Sequence, residues 1–335
     1  MKLIQLNQYL EETKFNKKIK PKYNRFILTE PINGQLGNQM YRFASLYAIG
    51  QLLNRTPVYM QQDNYIKNIE NELSKIFPNY FKQIYFLKNE YKIQKKFQLA
   101  TTCCDYNNPK ILLKENNAKI LRFIGGIYFE SYKYFDHLRD EILNIFEFGP
   151  IIIKEVENII ENIYLLNDNS RKICIHTRFG DFVGFGESVI EQVEILIEII
   201  PNIIKRLIKK NKIDKRYSLL LFGEDKEFLN KIKISKNKLI NKIYFIMNIN
   251  LTRGGELYFA QQYCNTLFLT APLSSFAFWM GYLMPKNIPI FYIRKQLLLH
   301  PSKTTIYPFD TMQILPNDWF AIEESWLERK NKTKN

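Results

Sequence analysis

The feature that most restricts the fold is the rhythm of the second half, where short apolar runs alternate with amphipathic stretches. Residues 172–177, 218–222, 243–247, 267–270 and 288–293 read as strands, and 188–211, 225–232, 255–264 and 275–283 as helices. Strands separated by helices cannot pair through tight hairpins, so the alternation predicts a parallel sheet covered by helices. In this half it predicts a nucleotide-binding, Rossmann-like domain.

The first half opens in the same manner. A strand at 25–32 runs into the turn Asn33-Gly-Gln-Leu-Gly-Asn38. A helix at 39–54 follows, with Met40, Phe43, Ala44 and Tyr47 on one face, and a strand begins at 58–60. Residues 65–150 are less regular, with a helix predicted at 134–146. Gly149-Pro150 opens a helix to 166 that bridges the halves. The expected division is a flexible segment 1–24, a first α/β domain 25–165, a nucleotide-binding Rossmann-like domain 166–327 and a tail 328–335.

A hydrophobic content of 46% over 335 residues supplies a real core and excludes a disordered or fibrous chain. The net charge of +15 lies partly in the lysine-rich stretches 205–216 and 231–242. Neither interleaved exposed aromatics nor a binding module accompanies it, so no nucleic-acid partner is expected. Solvated basic faces, with some attraction to an acidic membrane, account for the charge. Cys103, Cys104, Cys174 and Cys264 have no metal-ligand spacing with His137, His176 and His300, so no metal is expected. Cys174 reads as a buried small hydrophobe, and the sequence allows one disulfide involving Cys103 or Cys104 without choosing its partner. The most apolar window, 195–204, is broken by Glu198, Pro201 and Asn202 and is too short to span a bilayer. The first 25 residues lack the apolar core of a signal peptide. Triplets at Asn54, Asn250 and Asn331 are glycosylation acceptors in a secreted chain.

Four segments carry candidate chemistry. In Ile173-Cys-Ile-His-Thr-Arg-Phe-Gly-Asp181 an apolar strand ends in His176, Arg178 and Asp181, where ligands bind in open α/β sheets. A guanidinium there suits a diphosphate, and an Arg–Asp pair closing a loop is the bland equivalent. Gly34 and Gly37 match neither a dinucleotide fingerprint nor a P-loop, yet allow close backbone approach at a helix start. They serve equally as a tight turn. Ser274 and Ser275 precede a helix and read as caps or as phosphate and ribose contacts. Phe222-Gly-Glu-Asp225 ends another strand in Glu224 and Asp225, for capping or for nucleoside hydrogen bonds.

Order and spacing of these segments resemble the alpha-1,2-fucosyltransferases, in particular their divergent nematode members. Gly-Gln-Leu-Gly-Asn-Gln-Met-Tyr-Arg-Phe-Ala from Gly34 resembles their G-x-L-G-N-Q-M-F-x-Y-A opening. Gly126-Ile-Tyr-Phe-Glu-Ser-Tyr-Lys-Tyr-Phe135 resembles G-Y-x-Q-S-x-K-Y-F, and His176-Thr-Arg-Phe-Gly-Asp-Phe182 resembles H-x-R-R-G-D-Y. Phe222-Gly-Glu-Asp225 stands in the place of F-S-D-D, and residues 256–283 in that of a helix-to-helix motif ending N-S-x-F-S-W-W. The tail Leu315-Pro-Asn-Asp-Trp319 parallels a closing P-x-x-W, so the resemblance covers residues 26–320.

The resemblance implies a GT-B-like enzyme with two Rossmann-like halves facing a cleft. It implies metal-free, inverting transfer of L-fucose from GDP-fucose to the 2-hydroxyl of a terminal galactose on a glycan. Carried over by position, Arg178 holds the β-phosphate, and His176 with Asp181 shapes its loop. Gly37 and Asn38 face the diphosphate, Ser274, Ser275 and Phe276 line the GDP pocket, and Glu224 and Asp225 stand on the guanosine side. Glu187 or Asp181 takes the acceptor proton, with an N-terminal helix carboxylate as the plain reading of Glu187. The family's setting implies the Golgi lumen or membrane, although no anchor is visible here. Three departures bear on donor affinity: Phe179 for the second arginine, Ala271 for Asn, and Ala277-Phe278-Trp279 for Ser-Trp-Trp. They leave a second reading, a weak or inactive relative that binds GDP-sugar or glycan.

Overall fold

The computed structural model describes residues 10–11, 21–60, 63–87, 94–100, 104–115, 117–125, 128–162, 165–207, 216–295, 297–299, 306–308 and 311–328. Most of both termini, the basic stretch 208–215, Cys103, Gly126, His300 and the Asn331 triplet lie outside them. The chain divides into two compact units, Met1–Ile152 and Ile153–Asn335. Among the described residues no helix is long and apolar enough to cross a membrane.

In the first unit β1 (Phe26–Thr29) leads into α1 (Leu36–Leu53) and on to β2 (Thr56–Pro57). With β3 (Gln94–Phe97) and β4 (Ile120–Phe123) these form a parallel sheet in the order β2-β1-β4-β3. Helix α1 is buried on nearly every side, its apolar stripe including Met40, Phe43 and Ala44. It stops at Asn54, whose φ of 52° is the left-handed conformation that ends helices and that Asn tolerates. A side chain on Gly50 would stand 2.5 Å from the Arg55 carbonyl, so the reversal into β2 requires glycine there. The predicted helix at 134–146 is in fact two 3₁₀ turns followed by a short α-helix, Arg139–Ile145.

The bridging helix α2 (Pro150–Asn162) precedes the larger sheet. Its elements follow as β5 (Arg171–His176), α3 (Ile190–Leu207), β6 (Tyr217–Phe222), α4 (Lys226–Lys231) and β7 (Ile240–Phe245). Next come α5 (Arg253–Tyr263), β8 (Thr266–Leu269), α6 (Ser275–Tyr282), β9 (Ile290–Arg294) and β10 (Phe320–Glu323). All six strands run parallel in the order β7-β6-β5-β8-β9-β10. Numbered within this unit the order is 3-2-1-4-5-6, the doubly wound arrangement, which reverses direction between β5 and β8. Of the six strands in this sheet, β10 is the one without a counterpart among the predicted strands.

Alternation along β5 sends Ile173 and Ile175 into a core with Leu219, Leu221, Val193, Leu196 and Ile200. Cys174 is fully buried, as expected, but it is not an unbonded hydrophobe: it forms a disulfide with Cys264, 90 residues away. Cys264 is the residue on which α5 ends before β8, and β8 lies beside β5, so topology brings the pair to a Cα separation of 5.7 Å. Cys104 is disulfide-bonded as well.

Asp168 ties the amino ends of β5, β6 and β7 together. Its carboxylate accepts from Ser218 Oγ (2.6 Å), the Ser170 N–H (3.0 Å), Asn241 Nδ2 (3.0 Å) and Tyr244 Oη (3.2 Å), and Lys172 Nζ lies 3.6 Å away. Burial pulls this carboxyl upward, but the serine hydrogen bonds and the lysine charge outweigh it and hold it well below the usual carboxylate range. A depressed carboxyl stabilises the fold above its unfolded value near ~3.9 and loses that contribution as pH falls. Asp168→Asn leaves the buried Lys172 uncompensated and is expected to cost about 3 kcal/mol at neutral pH. Urea melts of both proteins should show the gap closing as pH is lowered through the acid range.

Candidate functional site

Strands β5, β6 and β8 end level, with His176 opposite both Phe222 and Leu269. The chain therefore leaves three adjacent strands at one edge, at the reversal where doubly wound sheets bind ligands. Hydroxyl side chains fix the first residues beyond. Thr177 donates to the Phe222 carbonyl from both its N–H and its Oγ, each at 2.9 Å. Thr270 does the same to the His176 carbonyl, at 3.1 and 2.9 Å. Ser188 Oγ accepts from the Arg178 N–H at 2.9 Å and lies 2.6 Å from Thr270 Oγ, while its own N–H donates to the Arg178 carbonyl at 2.8 Å. A side chain on Gly223 would stand 2.2 Å from Thr177 Oγ, so the glycine belongs to the same clamp.

Arg178 is held by its backbone on both sides, and its side chain is only 14% exposed. Nη2 lies 3.0 Å from Asp181, and Nη1 pairs with Glu224. Both carboxylates are more than 60% exposed, and pairs of that kind contribute at most about 1 kcal/mol each. They extend the guanidinium without committing it. Arg178 Nε and His176 Nδ1 are buried without a hydrogen-bond partner. Buried polar atoms are nearly always paired, so these two leave hydrogen-bonding capacity unused at the end of β5.

His176 is buried, with the Phe276 ring centred 5.9 Å away. Burial, reinforced by the Arg178 charge, pushes its imidazole down to about 3. Ser274 caps α6, its buried Oγ accepting from the Ala277 N–H at 3.4 Å, and Ser275 and Phe276 open that helix. Asp225 caps α4 through the Phe228 N–H at 2.8 Å, so it performs its plain structural role. Glu187 Oε2 accepts the Gly184 N–H at 2.9 Å and closes a loop in which Gly180, Gly184 and Gly186 all have positive φ. Phe179, the departure from the second arginine, stacks on Phe228 at 4.9 Å.

Gly37 and Asn38 stand in the first turn of α1, in the other unit. Asn38 Nδ2 donates to Glu130 Oε1 at 2.7 Å. Burial raises that carboxyl to about 7, against the lowering by Asn38. Gly34, at φ 146°, lies against Tyr128, whose Oη would be 2.6 Å from any added side chain. The structure thus gathers His176, Arg178, Asp181, Glu224 and Phe276 in one place, with Glu187 and Asp225 bonded into the loops around it.

Sequence reasoning missed Ser188 and Thr270. Ser188 reads only as a residue before a helix, and Thr270 as the end of a strand. Glu256 lies in the first turn of α5, where burial first and the Glu224 charge second raise its carboxyl to about 7 against the pull of Arg178. Among the described residues no three His, Cys, Asp or Glu are placed to hold a metal ion.

The sequence pattern of glycosyl transferase family 11 matches residues 1–291. Two proteins of Caenorhabditis elegans named galactoside 2-alpha-L-fucosyltransferase are similar to this chain. One is 25% identical, covering 77% of this chain and 69% of its own; the other is 22% identical, covering 84% and 74%. Among solved structures, the fucosyltransferase NodZ from Bradyrhizobium overlays with a TM-score of 0.45 at 14% identity, covering 86% of this chain and 99% of that one.

A histidine depressed to about 3 stays neutral through the physiological range, while the unfolded chain binds a proton below about 6.5. Its contribution to stability is therefore complete above that value and declines as pH falls toward 3. The His176 ring resonances in an NMR titration are expected to stay fixed between about pH 5 and pH 8, where an ordinary histidine would titrate.

Proposed function

This chain belongs to glycosyl transferase family 11, and from that membership we propose that it moves L-fucose from GDP-fucose to the 2-hydroxyl of a terminal galactose. The observation that carries the reading is Arg178, clamped at the sheet's reversal with buried, unpartnered nitrogens beside it. A guanidinium grips the β-phosphate at two points and keeps its charge at any working pH. As the sugar–oxygen bond breaks, charge grows on the phosphate, so a fixed cation favours the transition state over the ground state.

The remaining roles follow from position. Ser274, Ser275 and Phe276 form the nucleotide wall at the start of α6, and Glu224 and Asp225 stand on the guanosine side. Gly37 and Asn38, which the resemblance assigns to the diphosphate, offer a backbone and an amide group in the first turn of α1. Glu187 and Asp181 are the carboxylates offered for the acceptor's proton, and no step calls for a metal ion. The Cys174–Cys264 disulfide fits an oxidising compartment, which supports placing the enzyme in the Golgi. One observation favours a binder without turnover: Phe179 packs on α4 where a second cation would stand.

Release of GDP from GDP-fucose in the presence of lactose separates the two readings, with a binder giving none. Arg178→Ala is expected to lower kcat/KM roughly 10²–10³-fold with the melting temperature unchanged, and Arg178→Lys to recover little of it. Undiminished turnover in the alanine variant removes Arg178 from the mechanism.

A further inference from the structure

The loop that leaves β5 begins and ends on one residue. Arg178 donates its N–H to Ser188 Oγ at 2.9 Å and accepts the Ser188 N–H on its carbonyl at 2.8 Å. The residues between them therefore make a closed excursion from the strand ends. Inside it the Phe182 N–H donates to the Phe179 carbonyl at 3.1 Å and the Phe185 N–H to the Phe182 carbonyl at 3.0 Å. Glu187 accepts the Gly184 N–H at 2.9 Å. Bonds of this kind give a short loop with adjacent ends a defined shape of its own.

A shaped loop in water ordinarily turns polar groups outward. This one does the reverse. Phe179, Val183, Phe185 and the adjoining Val189 are 37% to 53% exposed, and half-buried Phe182 lies with its ring 5.8 Å from that of Phe185. Phe179 is accounted for by its stack on Phe228. Val183 and Phe185 stand outside the core that holds Val193 and Leu196. Single exposed apolar side chains are normal, but several together on one loop mark a contact surface.

The chemistry of the same loop says what covers that surface. Val183 and Phe185 lie in the chain between Asp181 and Glu187, the two carboxylates offered for the acceptor's proton. A ligand that meets both features is amphipathic, with hydroxyls at one end and hydrocarbon at the other. A sugar ring alone would be served by aromatic faces; an exposed valine beside them suits a flexible apolar stem. We propose that Phe182, Val183 and Phe185 seat an apolar aglycone, so that the acceptor is a galactoside carried on a hydrocarbon stem, as in a glycolipid. The proposal rests on the reading of this chain as a fucosyltransferase acting on galactosides. Seating the stem removes two apolar surfaces from water at once, and the gain grows with the length buried.

Initial rates with GDP-fucose and either methyl or hexyl β-D-galactoside isolate the stem, because the two acceptors share the sugar. The hexyl compound, kept below its micelle threshold, is expected to show a kcat/KM at least about tenfold higher, with the difference in KM. In a Val183→Ser, Phe185→Ser double variant that preference should disappear. Both side chains are exposed, and a ratio measured within one preparation does not depend on how much of it is folded. Equal use of the two galactosides by the wild-type protein overturns the assignment and leaves the transfer reaction standing. A hexyl preference that survives in the variant also overturns it. Binding to phosphatidylcholine vesicles that depends on Val183 and Phe185, without preference between the galactosides, gives the loop to a membrane surface and overturns it as well. GDP release with neither galactoside nor lactose removes the assignment together with the proposed reaction.

Discussion

The site depends on three parallel strands ending at one level, and that alignment is enforced by hydroxyl groups. Thr177 and Thr270 each direct two hydrogen bonds to the last carbonyl of a neighbouring strand, and Ser188 closes the circuit onto the backbone of Arg178. Each bond contributes only about 1 kcal/mol net, but each would cost more if a buried partner were left unpaired. The mutual dependence is what gives the loop one conformation. Arg178 reaches the sheet's reversal as a consequence of that clamp, and Gly223 is demanded by the same contact geometry.

Electrostatics then decides what such a site can hold. The imidazole beside Arg178 is kept neutral by burial, so it adds shape and a polar nitrogen without adding charge. The Arg178 guanidinium is balanced by exposed carboxylates that bind it weakly enough to be displaced. Phe179 changes this balance: it spends its surface on Phe228 and contributes rigidity to the loop in place of a second positive charge. A donor anchored here depends more heavily on one arginine than it would with two, and nearby acidic groups therefore weigh more.

Much of this was legible in the sequence because periodicity reports burial. The runs at 172–177 and 218–222 are apolar throughout since both faces of a central parallel strand are covered, and they became β5 and β6 with ends shifted by a residue. Arg178 and His176 were visible because they follow such a run immediately. The disulfide was not, because nothing local in Cys174 announces a partner 90 residues away; only the adjacency of β5 and β8 does. Strand β10 was hidden by its position at the sheet edge, where Phe320 is half exposed and the apolar signal is weak. Ser188 was illegible for a different reason: a serine before a helix looks the same on paper whether or not it bonds to a site residue.

Glu130 shows the same limit and what chemistry adds to it. It stands where the resembling motif carries glutamine, a change from neutral to acidic that sequence alone would score as a loss. Its buried carboxyl, raised to about 7, keeps the proton through most of the acid range. In that state it offers one acceptor and one donor, as a glutamine side chain does, and it accepts from Asn38 at 2.7 Å. Burial thus preserves the hydrogen-bonding pattern that the substitution would otherwise remove, and it does so only while the proton stays.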